Sequence, residues 1–485
     1  RFYLYLNMTK PGEKLILSYS DTNAKGEGIS PAYLIGSIRS LYPKLEIENS
    51  YYYPENPEAG IDLFLEKLAQ ETEKNHEDIL EQADETDAVF GELYSWYLRN
   101  PEYRSRVQKL VQSAFAGKPK DIISQSVAKA LYGEVSPYSA TRLERFAACA
   151  FAHFLQYGMK LTERVEYEFK PMDMGNVMHE ALESFAEEVR KRGMKWTELT
   201  EQERNEIADR CLDNIVADYG NTVLKSSARN EYMIERTRRI LRRTVWALQK
   251  QLEQGEFQPE GFEVTFGGGR IDRVDIMEDQ NKVYVKVIDY KTGNTSFDLV
   301  YLYHGLQLQL MIYLDGALRV EQKKYPDKEI IPAGVFYYNI KDPMIQEKID
   351  ADVEAVSAGL MKELKMNGLV QADPELVYRM DSSLGSIPVA FNKDGSFRKN
   401  SSVADRTQFA VLGRYVRTKI EKIRSSILEG DAEVSPYELG KKNACTYCPY
   451  MTVCGFDRRL SGYEFRRLKN FSDEELWKAF DREAE

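Results

Sequence analysis

The stretch VYVKVIDYKTG, Val283 to Gly293, admits few local structures. Its β-branched residues fit a pleated, half-buried surface better than a helix. Successive strand side chains point to opposite faces, so Val283, Val285, Val287, Asp289 and Lys291 share one face. Three of the five suit a core, which leaves a carboxylate and an amine at the strand's end. The preceding GRIDRVDIMEDQNK alternates too; Gly267–Gly269 break it from an earlier strand, and EDQNK suits a hairpin turn. Residues 261–293 therefore read as successive strands of one sheet.

A D-x-K triplet alone is ordinarily an exposed ion pair, so its neighbours decide its meaning. Asp289 can hold a hard divalent cation, and Lys291 beside it can orient a water or stabilise developing phosphate charge. The GRID strand offers Asp272 and Asp275, three apart and thus on opposite faces; alternation alone does not choose between them. Downstream, QLQLMIYL places Gln309 and Tyr313 as i,i+4 neighbours on a helix expected over 301–321. Upstream, GNVMHEALESF places His179 beside an apolar seam of Met178, Leu182, Phe185 and Val189, not within it.

In chain order these are G-x3-H (Gly175, His179), G-x2-D (Gly269, Asp272), D-x-K (Asp289, Lys291) and Q-x3-Y (Gln309, Tyr313). The set resembles the RecB-like branch of the PD-(D/E)xK nucleases. The resemblance implies an α/β fold, a mixed sheet flanked by helices, and metal-dependent phosphodiester hydrolysis. It further implies that His179, Asp272, Asp289 and the backbone carbonyl of Tyr290 hold Mg²⁺ or Mn²⁺. Lys291 would position the attacking water, with Gln309 and Tyr313 bracing the site or touching DNA.

Three of the five cysteines, Cys445, Cys448 and Cys454, fall within ten residues as C-x2-C-x5-C. So few cysteines suit a reducing compartment such as the cytoplasm, where a cluster of thiols points to metal rather than disulfides. A four-ligand site lacks one member. Cys211 lies on an apolar stripe with Ile207 and Ile215 and reads as a buried thiol; Cys149, in ERFAACAFAHFL, is the candidate fourth ligand. Zinc and an iron–sulfur cluster both satisfy four cysteines. Together, SATRLERFAACAFAHFL and SPYELGKKNACTYCPYMTVCGFD resemble the AddB-type family of helicase–nuclease components. That likeness implies a [4Fe–4S] cluster on Cys149, Cys445, Cys448 and Cys454. It also implies an AddA-type helicase–nuclease partner, single-stranded DNA from unwound duplex as substrate, double-strand-break processing, and action on the strand with the 5′ end.

The chain opens at Arg1, not Met, and is expected to begin inside a longer protein. Residues 1–56 read as the end of a helicase-like α/β domain, with FYLYL and KLILSYS as strands. Thr9, Lys10 and Pro11 stand where superfamily-1 helicases carry TRA; without that arginine, this part is expected not to be an ATPase motor. Residues 57–135 read as a helical connector broken at NPE and GKPKD, and 136–485 as the nuclease domain, with Ser136 or Ser139 capping the helix that carries Cys149. Residues 173–255 and 350–430 read as mainly helical, and AGVFYYNI as a strand. A net charge of −11 excludes a broadly basic surface but allows a local groove, for which Arg236, Arg239 and Arg243 in ERTRRILRR are the DNA-contact candidates. Two rival readings are a stand-alone Cas4-like exonuclease and a non-catalytic DNA-binding scaffold. The chain is long for the first, and the complete His179, Asp272, Asp289 and Lys291 set speaks against the second.

Overall fold

The computed structural model describes residues 2–20, 28–47, 56–74, 88–115, 122–133, 139–162, 164, 171–218, 227–267, 269–345, 352–459 and 462–484. Two compact units result, Arg1–Phe115 and Ala116–Glu485. In the first, helices Pro57–Lys74, Ala88–Arg99 and Pro101–Ala114 close around Phe64, Tyr97 and Val107. The NPE break is visible: the Asn100 side chain accepts the Glu102 amide N–H, and Pro101, which has no N–H to lose, opens the next helix.

The second unit is built on a six-stranded mixed sheet in chain order: β1 (Gln258–Phe266), β2 (Gly269–Asp279), β3 (Lys282–Lys291), β4 (Glu329–Asn339), β5 (Asn367–Gln371) and β6 (Val403–Ala404). Pairing is antiparallel except for β3 with β4 and β5 with β6. The β3–β4 crossover runs through helix Gln309–Lys324. Alternation along β3 sorts its side chains as expected. Val283, Val285 and Val287 enter a core shared with helices Ala140–Ala148, Gln309–Lys324, Arg406–Glu429 and Asp473–Ala484. Tyr284, Ile288 and Tyr290 enter the opposite core, with helices Pro171–Lys191, Glu201–Asp218 and Ala228–Glu253. Each fully buried valine stabilises by roughly 1.5–3 kcal/mol, which fixes the strand's face and therefore where Asp289 points. A small second sheet, β7 (Tyr437–Leu439), β8 (Lys442–Asn443) and β9 (Arg466–Arg467), frames the cysteine-rich end in the order β8-β7-β9.

Several expectations need correction. FYLYL is not a strand: Phe2–Thr9 is helical with no buried residue, and residues 14–20 are irregular. No partner strand lies beside either among the described residues, and a helix satisfies its own backbone groups without one. The helix expected over 301–321 is two helices, Leu299–Tyr303 and Gln309–Lys324, parted at Gly305 (φ 78°). A Cβ at Gly305 would stand 3.2 Å from the Ala147 side chain, so the break brings two segments close. Strands β5 and β6 interrupt the region read as helical over 350–430; being short, they show too little alternation to betray themselves. The helix Gln125–Tyr132 belongs to the second unit's core through Ala128 and Tyr132. Ser139, without a side-chain capping bond, precedes helix Ala140–Ala148; Ser136 and the GKPKD break lie outside the described residues.

Candidate active site and cysteine centre

The face that carries the β3 valines ends in Asp289, 1% exposed, and Lys291. Strands β2 and β3 pair with Arg273 opposite Ile288, so one step further Asp272 stands opposite Asp289. The Tyr290 amide N–H donates to Asp272 Oδ2 at 2.7 Å, tying the two strands at this point. Packing also resolves which β2 aspartate belongs here. Val274 and Ile276 point toward helix Gln309–Lys324 together with Asp272, whereas Met277 enters the other core and Asp275 shares its face. Asp275 is fully buried there, 2.9 Å from Arg273 Nη2 and 2.9 Å from Lys286 Nζ.

Lys291 Nζ lies 2.6 Å from Asp289 Oδ2 and donates to Gln309 Oε1 at 2.7 Å. Gln309 Nε2 in turn donates to the Tyr313 hydroxyl at 2.9 Å. The i,i+4 pair thus braces the lysine as one chain of hydrogen bonds. His179 enters from helix Pro171–Lys191, whose Met178, Leu182, Phe185 and Val189 anchor the buried seam. Its Nδ1 is 3.4 Å from Asp272 Oδ2 and 3.9 Å from Glu263 Oε1. Gly175, one turn earlier, faces Thr292: a Cβ there would lie 3.4 Å from the Thr292 hydroxyl, so the small residue lets this helix close on the end of β3.

Burial, then the charge of Asp272, pushes the Asp289 carboxyl up to about 7 against the pull of Lys291. Burial opposes the His179 imidazolium, but hydrogen bonds with Asp272 and Glu263 prevail and raise it to about 10. For Asp275 burial is likewise outweighed, here by Arg273 and Lys286, and its carboxyl is held below the usual range.

Two residues of this site escaped the sequence reading. Glu263, on β1, lies with His179 and Asp272 so that one ligand atom from each falls within 4.8 Å of the others. Its signal was present: β1 and β2 pair Phe262 with Arg273 and Val264 with Ile271, which puts Glu263 opposite Asp272. Glu144, on helix Ala140–Ala148, accepts the Leu308 and Gln309 amides at 2.7 and 3.0 Å, capping the helix that carries Gln309. No local pattern announces such a long-range contact. Burial raises its carboxyl to about 7. A folded value above the unfolded one stabilises below the unfolded pKa, about 4.3, and that contribution is lost as pH rises through 7. Glu144→Gln keeps an acceptor but cannot ionise. Relative to this variant, the parent should lose on the order of 3 kcal/mol between pH 4 and pH 8 in metal-free melts. A parent–variant gap constant across that range would refute it.

Cys149, Cys445, Cys448 and Cys454 line one cavity, together with Phe151, Ala152, Val434 and Tyr450. Cys149 sits at the break between helices Ala140–Ala148 and Ala150–His153. Burial pushes its thiol up, while the amides of Ala152, Ser435 and Phe151 pull it down. Burial and the three neighbouring cysteines push Cys445 up to about 12. Cys211 is buried in the separate core beside Ile207 and Leu212. Of the arginine candidates, Arg239 pairs with Asp342 at 2.6 Å, Arg243 lies over Trp246 on its own helix, and Arg236 is exposed. Their neighbours Arg238 and Arg242 are held by Asp213 and Asp209. Among the described residues, no helix is long and apolar enough to cross a membrane.

Similarity to known proteins agrees with this geometry. Over its whole length the chain is 40% identical to 43% of the B-type component of an ATP-dependent helicase/deoxyribonuclease from Lachnoclostridium phytofermentans. Proteins of the same description from Clostridium acetobutylicum and Alkaliphilus metalliredigens are 31% and 32% identical, again over the whole chain and 44% of each relative. The chain thus spans less than half the length of the curated relatives it matches. Residues 137–455, which contain the carboxylate–lysine site and all four converging cysteines, match the family model of the PD-(D/E)XK nuclease superfamily. The chain belongs to the PD-(D/E)XK nuclease superfamily.

Proposed function

We propose that this chain is the nuclease-bearing part of an AddB-type helicase–deoxyribonuclease component. It hydrolyses phosphodiester bonds of single-stranded DNA released by an AddA-type motor during double-strand-break processing, on the strand with the 5′ end. The observation that carries this reading is the facing pair Asp272 and Asp289, with Lys291 held 2.6 Å from Asp289 by the Gln309 brace. Residues 1–56 are proposed as an inactive helicase-like remnant, since Thr9-Lys10-Pro11 lacks the arginine a motor would use, and the helices from Pro57 to Ala114 as a connector to the nuclease domain, whose core takes in helix Gln125–Tyr132.

The donor set fits a hard divalent cation: buried carboxylate oxygens and one imidazole nitrogen, His179, Asp272 and Asp289, with the Tyr290 carbonyl, would hold Mg²⁺ or Mn²⁺. Such a cation, when bound, lowers the pKa of a bound water and offsets charge on the pentacovalent phosphate. Lys291 has two of its three N–H bonds directed at Asp289 and Gln309, leaving one to orient the attacking water. Tyr313 and Gln309 keep that ammonium from drifting, because the helix bearing them is capped by Glu144.

The cysteine centre is proposed to hold a [4Fe–4S] cluster: Cys149, Cys445, Cys448 and Cys454 line one cavity whose other walls include Phe151, Ala152, Val434 and Tyr450.

Incubating the purified protein with labelled single-stranded DNA tests the catalytic reading. Cleavage should appear with Mg²⁺ or Mn²⁺ and vanish in EDTA. A metal-independent product, or binding without any cleavage alone or with the AddA-type partner, would favour the scaffold reading instead.

A further inference from the structure

We propose that Tyr337 is a positioning residue for the reaction: its ring face holds the Lys291 ammonium in place while a cation occupies the neighbouring carboxylates. The inference rests on the nuclease reading above and on the role it gives Lys291 toward the attacking water. The stretch AGVFYYNI carries two adjacent tyrosines at the end of β4, and strand alternation sends them to opposite faces. Tyr338 enters the core shared with helices Pro171–Lys191 and Ala228–Glu253, where it meets Tyr290 edge to face. Tyr337 enters the other core and stands beside Asp289 in the β3–β4 ladder. It is 2% exposed, and Lys291 Nζ lies 5.4 Å from the centroid of its ring. A cation so placed over an aromatic face is attracted by the ring's negative quadrupole.

The three partners of Lys291 are not equivalent. Asp289 lies 2.6 Å from its Nζ and Gln309 Oε1 accepts from it at 2.7 Å. Asp289 is also a proposed metal ligand, so its charge is shared once a cation is bound. A dication on the same carboxylate repels the ammonium, and poorly screened like charges repel strongly. The hold of Asp289 on Lys291 therefore weakens when the lysine is needed. The Gln309 carbonyl and the Tyr337 face are electron-rich but neutral, and neither belongs to the metal site, so their hold persists. Burial, then the charges of Glu144 and Asp289, push the Tyr337 hydroxyl above the usual phenol range, which keeps the ring a neutral phenol. The Lys291 side chain is 28% exposed, so it reaches water on one side while the buried ring backs it on another.

Replacing Tyr337 in the full chain by phenylalanine, then by its mono-, di- and trifluoro forms, withdraws electron density from the ring at nearly constant shape. Tyr337→Phe keeps the ring and should cleave single-stranded DNA within about twofold of the parent. Across the fluorinated series kcat should fall stepwise, roughly threefold to tenfold at the trifluoro ring, with KM for DNA and Mn²⁺ affinity unchanged. Melting in EDTA should stay level or rise, because the fluorinated ring is no more polar. A second readout needs neither metal nor cleavage. With 4-fluorophenylalanine at position 337, the fluorine resonance should move when Lys291→Met removes the charge, and not when Lys282→Met does so at the far end of β3. If kcat is flat across the series, follows the melting temperature, or the resonance ignores Lys291→Met, Tyr337 only packs, and the nuclease reading stands. If Tyr337→Phe loses as much cleavage as Lys291→Met, the hydroxyl and not the ring face is what acts, and the assignment is overturned. A parent that fails to cleave with Mg²⁺ or Mn²⁺, alone or with the AddA-type partner, overturns the nuclease reading and this inference with it.

Discussion

Cys149→Ser is expected to give a colourless protein without stoichiometric iron, melting as far below the parent as Cys445→Ser, Cys448→Ser or Cys454→Ser. Cys211→Ser should keep its iron. The four residues share one cavity although Cys149 and Cys445 are about 300 residues apart in sequence, whereas Cys211 lies in a different core. A cross-link closing so long a loop removes roughly 5–6 kcal/mol of unfolded-state freedom by chain-entropy scaling. Native contacts already join the two ends: the Phe151 amide donates to the Glu433 carbonyl at 2.9 Å, and the Tyr450 hydroxyl to the Leu161 carbonyl at 3.0 Å. The fold without a cluster should therefore be loosened rather than rearranged. The loss should still reach the chemistry. Cys149 ends the helix that carries Glu144, and Glu144 caps the helix that carries Gln309, the brace of Lys291. Cleavage should fall together with iron content across the four variants. Stoichiometric zinc in the parent, with no visible absorbance, would overturn the cluster; full iron in Cys149→Ser would overturn the fourth ligand.

What could be read in advance follows from how far each signal reaches along the chain. The period-2 pattern of 283–291 fixed the face of β3, because three valines have only one place to go. The EDQNK turn and the Gln309–Tyr313 spacing are equally local, and both appear as expected. Asp272 and Asp275 could not be separated by alternation alone, since the choice depends on which face receives helix Gln309–Lys324. Glu144 was invisible because it is joined to residues 308–309 only by the tertiary fold. The ion pairs of the arginine run were not legible because its partners are distant in sequence: Asp213, Asp342 and Asp209 pair with Arg238, Arg239 and Arg242. At the amino end, alternating aromatic and aliphatic residues suggested a strand, but alternation specifies one only where a neighbouring strand completes its hydrogen bonds.

Asp272 and Asp275 sit three residues apart on one strand and are expected to fail in opposite ways. On the proposed reading Asp272→Ala takes an oxygen ligand from a site that is crowded with carboxylates, so the metal-free fold should tolerate it. Cleavage should drop on the order of 10³-fold or more, the equivalent of several kcal/mol of lost transition-state stabilisation. Asp275→Ala touches no reacting atom. It leaves Arg273, 2% exposed, and Lys286, 5% exposed, as two buried cations without their shared anion. Breaking a buried ion network from one side costs about 3–5 kcal/mol, more than replacing the whole network by apolar residues would. Arg273 also lies over the Trp196 and Phe262 rings, so it cannot swing out to water without opening the core against helix Pro171–Lys191. The Asp275→Ala protein should therefore show a large fall in urea midpoint, with Mn²⁺ affinity retained by whatever fraction remains folded. An Asp272→Ala protein that unfolds as readily, or an Asp275→Ala protein of parental stability, would contradict the assignment of the two faces.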